Sequence, residues 1–195
     1  MGINLTALML PAFALAMNSY QNPARPNVVI IYADDMGYGD IGCQNPESKI
    51  STPNLDRLAM QGMRFTDAHS ASGVSSPSRY SLLTGRYHWR GHLTEGIISQ
   101  WGDPAIEKGR MTIASMLKQQ GYITACIGKW HLGELWPFKS GLGQNNTSKR
   151  DWTASSMNGK ENWTTDAFDW TLPIKEGPVA KGFDYYYGTG VINFP

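Results

Sequence analysis

Cysteine is almost absent from this chain: 195 residues contain 2, Cys43 and Cys126, and neither stands in a CxxC spacing. That excludes a disulfide scaffold and a paired-cysteine redox or metal motif. Both thiols therefore read as structural, with Cys126 a small buried hydrophobe inside the apolar segment from Ile123 to Ile127. An excess of one charge is also lacking. With 17 Lys and Arg against 16 Asp and Glu the net charge is +1, and no Lys/Arg-rich run supplies the basic stripe of a nucleic-acid surface. Nucleic acid is not an expected partner. There is no internal repeat and no low-complexity tract.

The N-terminal apolar run, Leu5 to Met17, is too short for a stable membrane span. No charge precedes Arg25, and Ala14-Leu15-Ala16 has the small-residue pattern of a cleavage site, although the positive n-region is missing. Residues 1–20 accordingly read as an export signal, which makes the expected location periplasmic or secreted.

What is present is an ordinary globular composition, 41% hydrophobic and 17% charged, enough for one sizeable core over residues 25–195. The β-branched run Asn27 to Tyr32 lacks alternation, which predicts a strand buried on both faces of a parallel sheet. Thr52 as cap, Pro53 in the first turn and Gly62 as stop predict a helix between them. Met63 to Ala68 reads as a second strand, followed by a helix from Pro77 or Ser78 to Thr84 that Gly85 ends. Helical spacing returns from Met111 to Gly121, and Tyr122 to Ile127 reads as another buried strand. Strand and helix thus alternate, predicting an α/β sheet with ligands beyond the carboxyl ends of its strands. From Lys139 to Lys181 neither period survives, so this stretch reads as a long surface excursion, and Gly182 to Gly188 restores a strand or ordered loop.

Polar clusters fall at that edge. Asp34-Asp35 ends the first strand and offers hard oxygen ligands to a divalent cation such as Ca²⁺; adjacent carboxylates also serve as caps or face solvent. Ser75 precedes a helix N-terminus, whose free amides and dipole favour an anion. Lys129 and His131 are two apart, so in an extended segment they leave on one side, and a histidine titrates near neutrality as a base should. Arg86, His88, Arg90 and His92 form a further basic group that suits either anion steering or an ordinary surface loop. Trp130 and the tryptophans after it suit sugar stacking and simple packing equally.

Three ordered strings resemble a known family. Asp34-Asp35-Met36-Gly37-Tyr38-Gly39-Asp40, Ser75-Ser76-Pro77-Ser78-Arg79 running on to Thr84-Gly85-Arg86, and Gly128-Lys129-Trp130-His131-Leu132-Gly133 are similar to the motifs of the type I sulfatases, in the family's order. The resemblance implies an alkaline-phosphatase-like α/β sandwich with a central, mostly parallel sheet, of which the N-terminal part is present. It implies hydrolysis of a sulfate ester of a sugar or aryl alcohol through a formylglycine made from Ser75, the serine variant being the bacterial form. By the same resemblance Arg79 anchors the formylglycine hydroxyl, Lys129 contacts sulfate, His131 engages the hydroxyls, and Asp34, Asp35 and Ser75 hold Ca²⁺. A formylglycine-generating maturase is then an expected partner.

An unmodified serine attacking sulfur would leave a sulfated alkyl ester that needs a second displacement. The extra hydroxyl of a hydrated aldehyde provides the release. Family members are more than twice as long, and their later metal pair, second His and second Lys find no counterpart here. A phosphatase or phosphonate hydrolase of the same superfamily, and an inactive truncated fragment, stand as alternatives.

Overall fold

The computed structural model describes residues 25–140 and 165–190; the expected export signal and most of the 139–181 excursion lie outside them. The chain divides into two compact units, Met1–Asp56 and Arg57–Pro195.

In the first unit the glycine-rich loop is tied to the helix start that follows it. Helix α1, Pro53–Gln61, begins here and crosses the unit boundary. Its leading Thr52 accepts from the Gly42 amide at 2.8 Å and donates to Asp56 at 3.1 Å, while the same Asp56 carboxylate accepts from the Cys43 amide at 2.8 Å. The cap is thus shared with the loop, so the turn and the helix form as one piece.

The expected strand from Asn27 to Tyr32 is corrected. The segment pairs with no strand among the described residues, and its apolar side chains are exposed, Val29 at 81%. An apolar β-branched run is buried only where layers cover both faces, and no such layer stands among the described residues of its unit. Met63 to Ala68 also forms no strand and is exposed.

The second unit holds the core. Helix α2, Ser75–Thr84, starts two or three residues earlier than expected, so Ser75 is its first residue and extended Val74 its cap. Pro77 fits because a first-turn amide has no helical acceptor to lose. Gly85 ends the helix in a left-handed conformation, φ 63°, and returns its N–H to the Ser81 carbonyl at 2.9 Å. Helix α3, Ile113–Gln119, is capped by Thr112, which accepts the Ser115 amide at 3.1 Å while Ser115 Oγ accepts the Thr112 amide at 2.8 Å.

Strands β1, Ala125–Ile127, and β2, Tyr185–Tyr187, pair in parallel with Cys126 opposite Tyr186. Only their central residues turn inward, against the core of Tyr80, Leu93, Ile98, Ile106, Trp130 and Leu132. The strand expected from Tyr122 is therefore shorter and half-covered rather than buried, and Cys126 is half-buried for the same reason. Asp184 joins α3 to the sheet: it pairs with Lys118 at 2.5 Å and accepts from the Thr124 amide at 3.0 Å.

Candidate active site

Helix geometry makes the first contact. Arg79 lies four residues after Ser75, on the same face of α2, and its Nε–H donates to Ser75 Oγ at 3.0 Å. The same guanidinium donates through Nη1 to the Lys129 carbonyl at 2.9 Å, fastening α2 to the loop after β1. A guanidinium stays charged and presents donors in a fixed fork, so one side chain holds both the hydroxyl and the loop.

That loop remains laddered to the chain after β2. The amides of Gly128, Trp130 and His131 donate to the carbonyls of Tyr187, Thr189 and Gly190 at 2.9, 2.8 and 3.3 Å. Gly188 is required there, because a Cβ would collide with the Gly128 carbonyl. His131 itself takes a positive φ of 51°, uncommon for a residue with a side chain and concentrated at functional sites.

The His131 ring is only 2% exposed, and both nitrogens are engaged. Nε2 lies 2.9 Å from the Ile98 carbonyl and Nδ1 lies 2.9 Å from Ser75 Oγ. A carbonyl can only accept, so Nε2 carries hydrogen, and in the neutral ring Nδ1 presents its lone pair to the Ser75 hydroxyl. Ser75 Oγ consequently donates to His131 while accepting from Arg79. This arrangement draws the hydroxyl proton toward a base and places a cation beside the oxygen that loses it.

Of the residues expected to form a site, the structure brings Ser75, Arg79 and His131 into hydrogen-bond contact and joins Lys129 to them through its carbonyl; the Lys129 side chain is half-buried. Asp34 and Asp35 belong to the first unit and are exposed. As paired carboxylates they fit a hard cation in donor chemistry. Among the described residues, however, no group of three or more His, Cys, Asp or Glu side chains gathers as a metal centre. Two carboxylates alone fall short of the six to eight oxygens that Ca²⁺ takes.

Arg86 is engaged elsewhere. It pairs with Glu107 at 3.2 Å, and Glu107 also meets Arg110 at 3.4 Å and accepts from the Tyr80 hydroxyl at 2.9 Å. Burial, then the Glu107 hydrogen bond and charge, push the Tyr80 phenol up; for Glu107 burial acts upward, but hydrogen bonds and Arg110 outweigh it and lower its carboxyl. His88, pushed down by burial, lies edge-on to Trp89 with centroids 4.9 Å apart.

Two contributors were invisible in the sequence. Ile98 acts through its backbone: its carbonyl orients His131, and its amide donates to the buried Ser76 Oγ at 3.0 Å. A backbone group has no residue signature, so no motif marks it. Ser76 stood inside the recognised string, but its role needed the fold.

Known proteins resemble this arrangement over most of the chain. A family model described as Sulfatase matches residues 26–187. An N-acetylgalactosamine-6-O-sulfatase of Bacteroides thetaiotaomicron is 49% identical over 113 residues, 58% of this chain and 22% of that protein. Arylsulfatase G of Rattus norvegicus is 46% identical over 134 residues, 68% of this chain and 25% of that protein. A solved structure from work on glycosaminoglycan metabolism by Bacteroides thetaiotaomicron superposes with a TM-score of 0.63 at 36% identity, covering 84% of this chain and 28% of that one. The chain thus spans about a quarter of the length of the relatives it matches, 22% and 25% for the two proteins named. Its parallel strands and flanking helices are those of the N-terminal part of the alkaline-phosphatase-like fold. With a family model covering residues 26–187 and an assembled Ser75, Arg79 and His131, this chain belongs to the sulfatase family.

Proposed function

We propose that the chain carries the nucleophile side of a sulfatase centre that hydrolyses sulfate monoesters of a sugar or an aryl alcohol, with Ser75 the precursor of formylglycine. The observation that supports it is the convergence on Ser75 Oγ of the Arg79 Nε–H at 3.0 Å and the His131 Nδ1 at 2.9 Å. Those partners suit an oxygen that must lose a proton and stay oriented. When formed, formylglycine supplies a hydrated aldehyde whose second hydroxyl gives sulfate a route of release.

Arg79 holds the attacking oxygen, His131 accepts its proton, and the Lys129 ammonium neutralises sulfate charge. Asp34 and Asp35 supply part of a Ca²⁺ site. The sugar class is supported by the likeness to the N-acetylgalactosamine-6-O-sulfatase of Bacteroides thetaiotaomicron. Residues 1–20 direct export, and a serine-type maturase acts on position 75.

Peptide mass spectrometry after co-expression with such a maturase tests the reading. Conversion of Ser75 appears as loss of two hydrogens and as an aldehyde-specific label, and Ser75→Ala abolishes both. An unmodified Ser75 in a protein that fully hydrolyses aryl phosphate would replace the reading with direct serine catalysis.

A further inference from the structure

Aromatic rings gather on the loops that leave the Ser75–His131 cluster. Trp101 follows by three residues the Ile98 whose carbonyl receives His131, and Trp136 follows His131 by five. At ~3.3–3.6 Å per residue their backbones lie within roughly 11 Å of Ile98 and 18 Å of His131 respectively. Trp101 meets Trp136 edge-on at 4.9 Å and Phe168 at 4.6 Å. Trp136 and Phe168 in turn meet Trp170 at 6.2 and 5.4 Å. Backbone bridges Leu135 to Lys175 and Phe138 to Phe168 hold the two chain segments together.

Phe168 is buried at the centre of this group, whereas Trp170 is 53% exposed. Its orientation is nevertheless set, because the indole N–H donates to the Thr165 carbonyl at 2.9 Å. An exposed aromatic held in one orientation loses little entropy on binding, which suits it to an interaction surface. Lys175, exposed on the same pair of segments, adds a cation complementary to sulfated material.

We propose that the face of Trp170 is a stacking subsite for a sugar ring beyond the sulfated unit of a saccharide held at the Ser75–His131 cluster. The inference rests on the sulfated-sugar reading given above. The C–H face of a pyranose is weakly positive and apolar, and it meets the negative face of an indole; the sugar hydroxyls remain in water around the rim. A single rigid face of this kind matches one ring, and Trp170 is joined through Trp136 and Phe168 to the loops that start at His131 and Ile98.

Isothermal titration of the chain with a 6-O-sulfated tetrasaccharide containing N-acetylgalactosamine, with the 6-O-sulfated monosaccharide and with 4-nitrophenyl sulfate is the test. Trp170→Ala should weaken the tetrasaccharide about fivefold to tenfold and leave the monosaccharide unchanged, while Trp170→Phe stays within about twofold of wild type. Undiminished tetrasaccharide binding by Trp170→Ala overturns the subsite and leaves the sugar reading standing. Equal weakening of both saccharides also overturns it, since the ring would then act on the sulfated unit or on the fold. A wild-type chain that binds neither saccharide overturns both this inference and the sugar reading, and binding of the aryl sulfate alone does the same.

Discussion

Ser75 and His131 stand 56 positions apart in sequence, yet Oγ of the one lies 2.9 Å from Nδ1 of the other. The contact has a direction because the Ile98 carbonyl takes the hydrogen of Nε2, so the lone pair of the neutral ring points at the hydroxyl. Its position depends on backbone as much as side chain: His131 adopts a φ of 51° inside a loop laddered to residues 187–190.

That backbone makes the first prediction. His131→Asn and His131→Val both remove the imidazole, but asparagine tolerates the left-handed region and a β-branched residue does not. His131→Val should therefore be less stable than His131→Asn by about 1–3 kcal/mol in denaturant unfolding. Equal stabilities would mean that the loop relaxes out of this conformation at no cost.

The carboxylate pair at 34 and 35 makes the second. In a protein that supplies the remaining oxygen ligands, calorimetric titration with Ca²⁺ should show binding and its loss in Asp34→Ala and in Asp35→Ala. Lys129→Ala, by contrast, should keep calcium and weaken sulfate about tenfold or more, because it removes an ammonium and no oxygen ligand. Unchanged calcium affinity in both aspartate variants would remove the pair from the metal site.

Glu134 supplies a pH dependence. Its side chain is 5% exposed, and burial pushes its carboxyl above the ordinary range. The folded protein then holds a proton that the unfolded chain releases, so this residue's penalty is absent below about pH 4.5 and grows as pH rises toward the folded value. Glu134→Gln removes the penalty: its Tm should exceed that of wild type by a margin that widens from pH 4.5 upward and then levels off. A constant margin across that window would show that Glu134 does not titrate differently in the two states.

Asp184 has the opposite sign. The Lys118 side chain, then hydrogen bonds from the Thr124 backbone and hydroxyl, lower its carboxyl from 3.8 to about 2. Its stabilisation is complete above the unfolded value of 3.8 and disappears as pH falls through about 2. The Tm advantage of wild type over Asp184→Asn should consequently be full at pH 5 and close to nil below pH 2. Acid-independent loss would assign the effect to packing instead.

Local chemistry was legible in the chain itself. Helices α1, α2 and α3 are expected from Thr52 and Pro53, from Pro77 or Ser78 with Gly85 as stop, and from the helical spacing between Met111 and Gly121, because such signals act within a few residues. The three ordered motifs were enough for the family, and the family-model match over residues 26–187 agrees. What the chain could not reveal alone was burial. The apolar run at 27–32 reads as a two-faced core strand, yet hydrophobicity states only what a segment prefers, and covering it takes layers from elsewhere in the fold. The same holds for Ile98, whose carbonyl and amide serve His131 and Ser76: backbone groups are identical at every position, so only tertiary structure selects which one becomes part of a site.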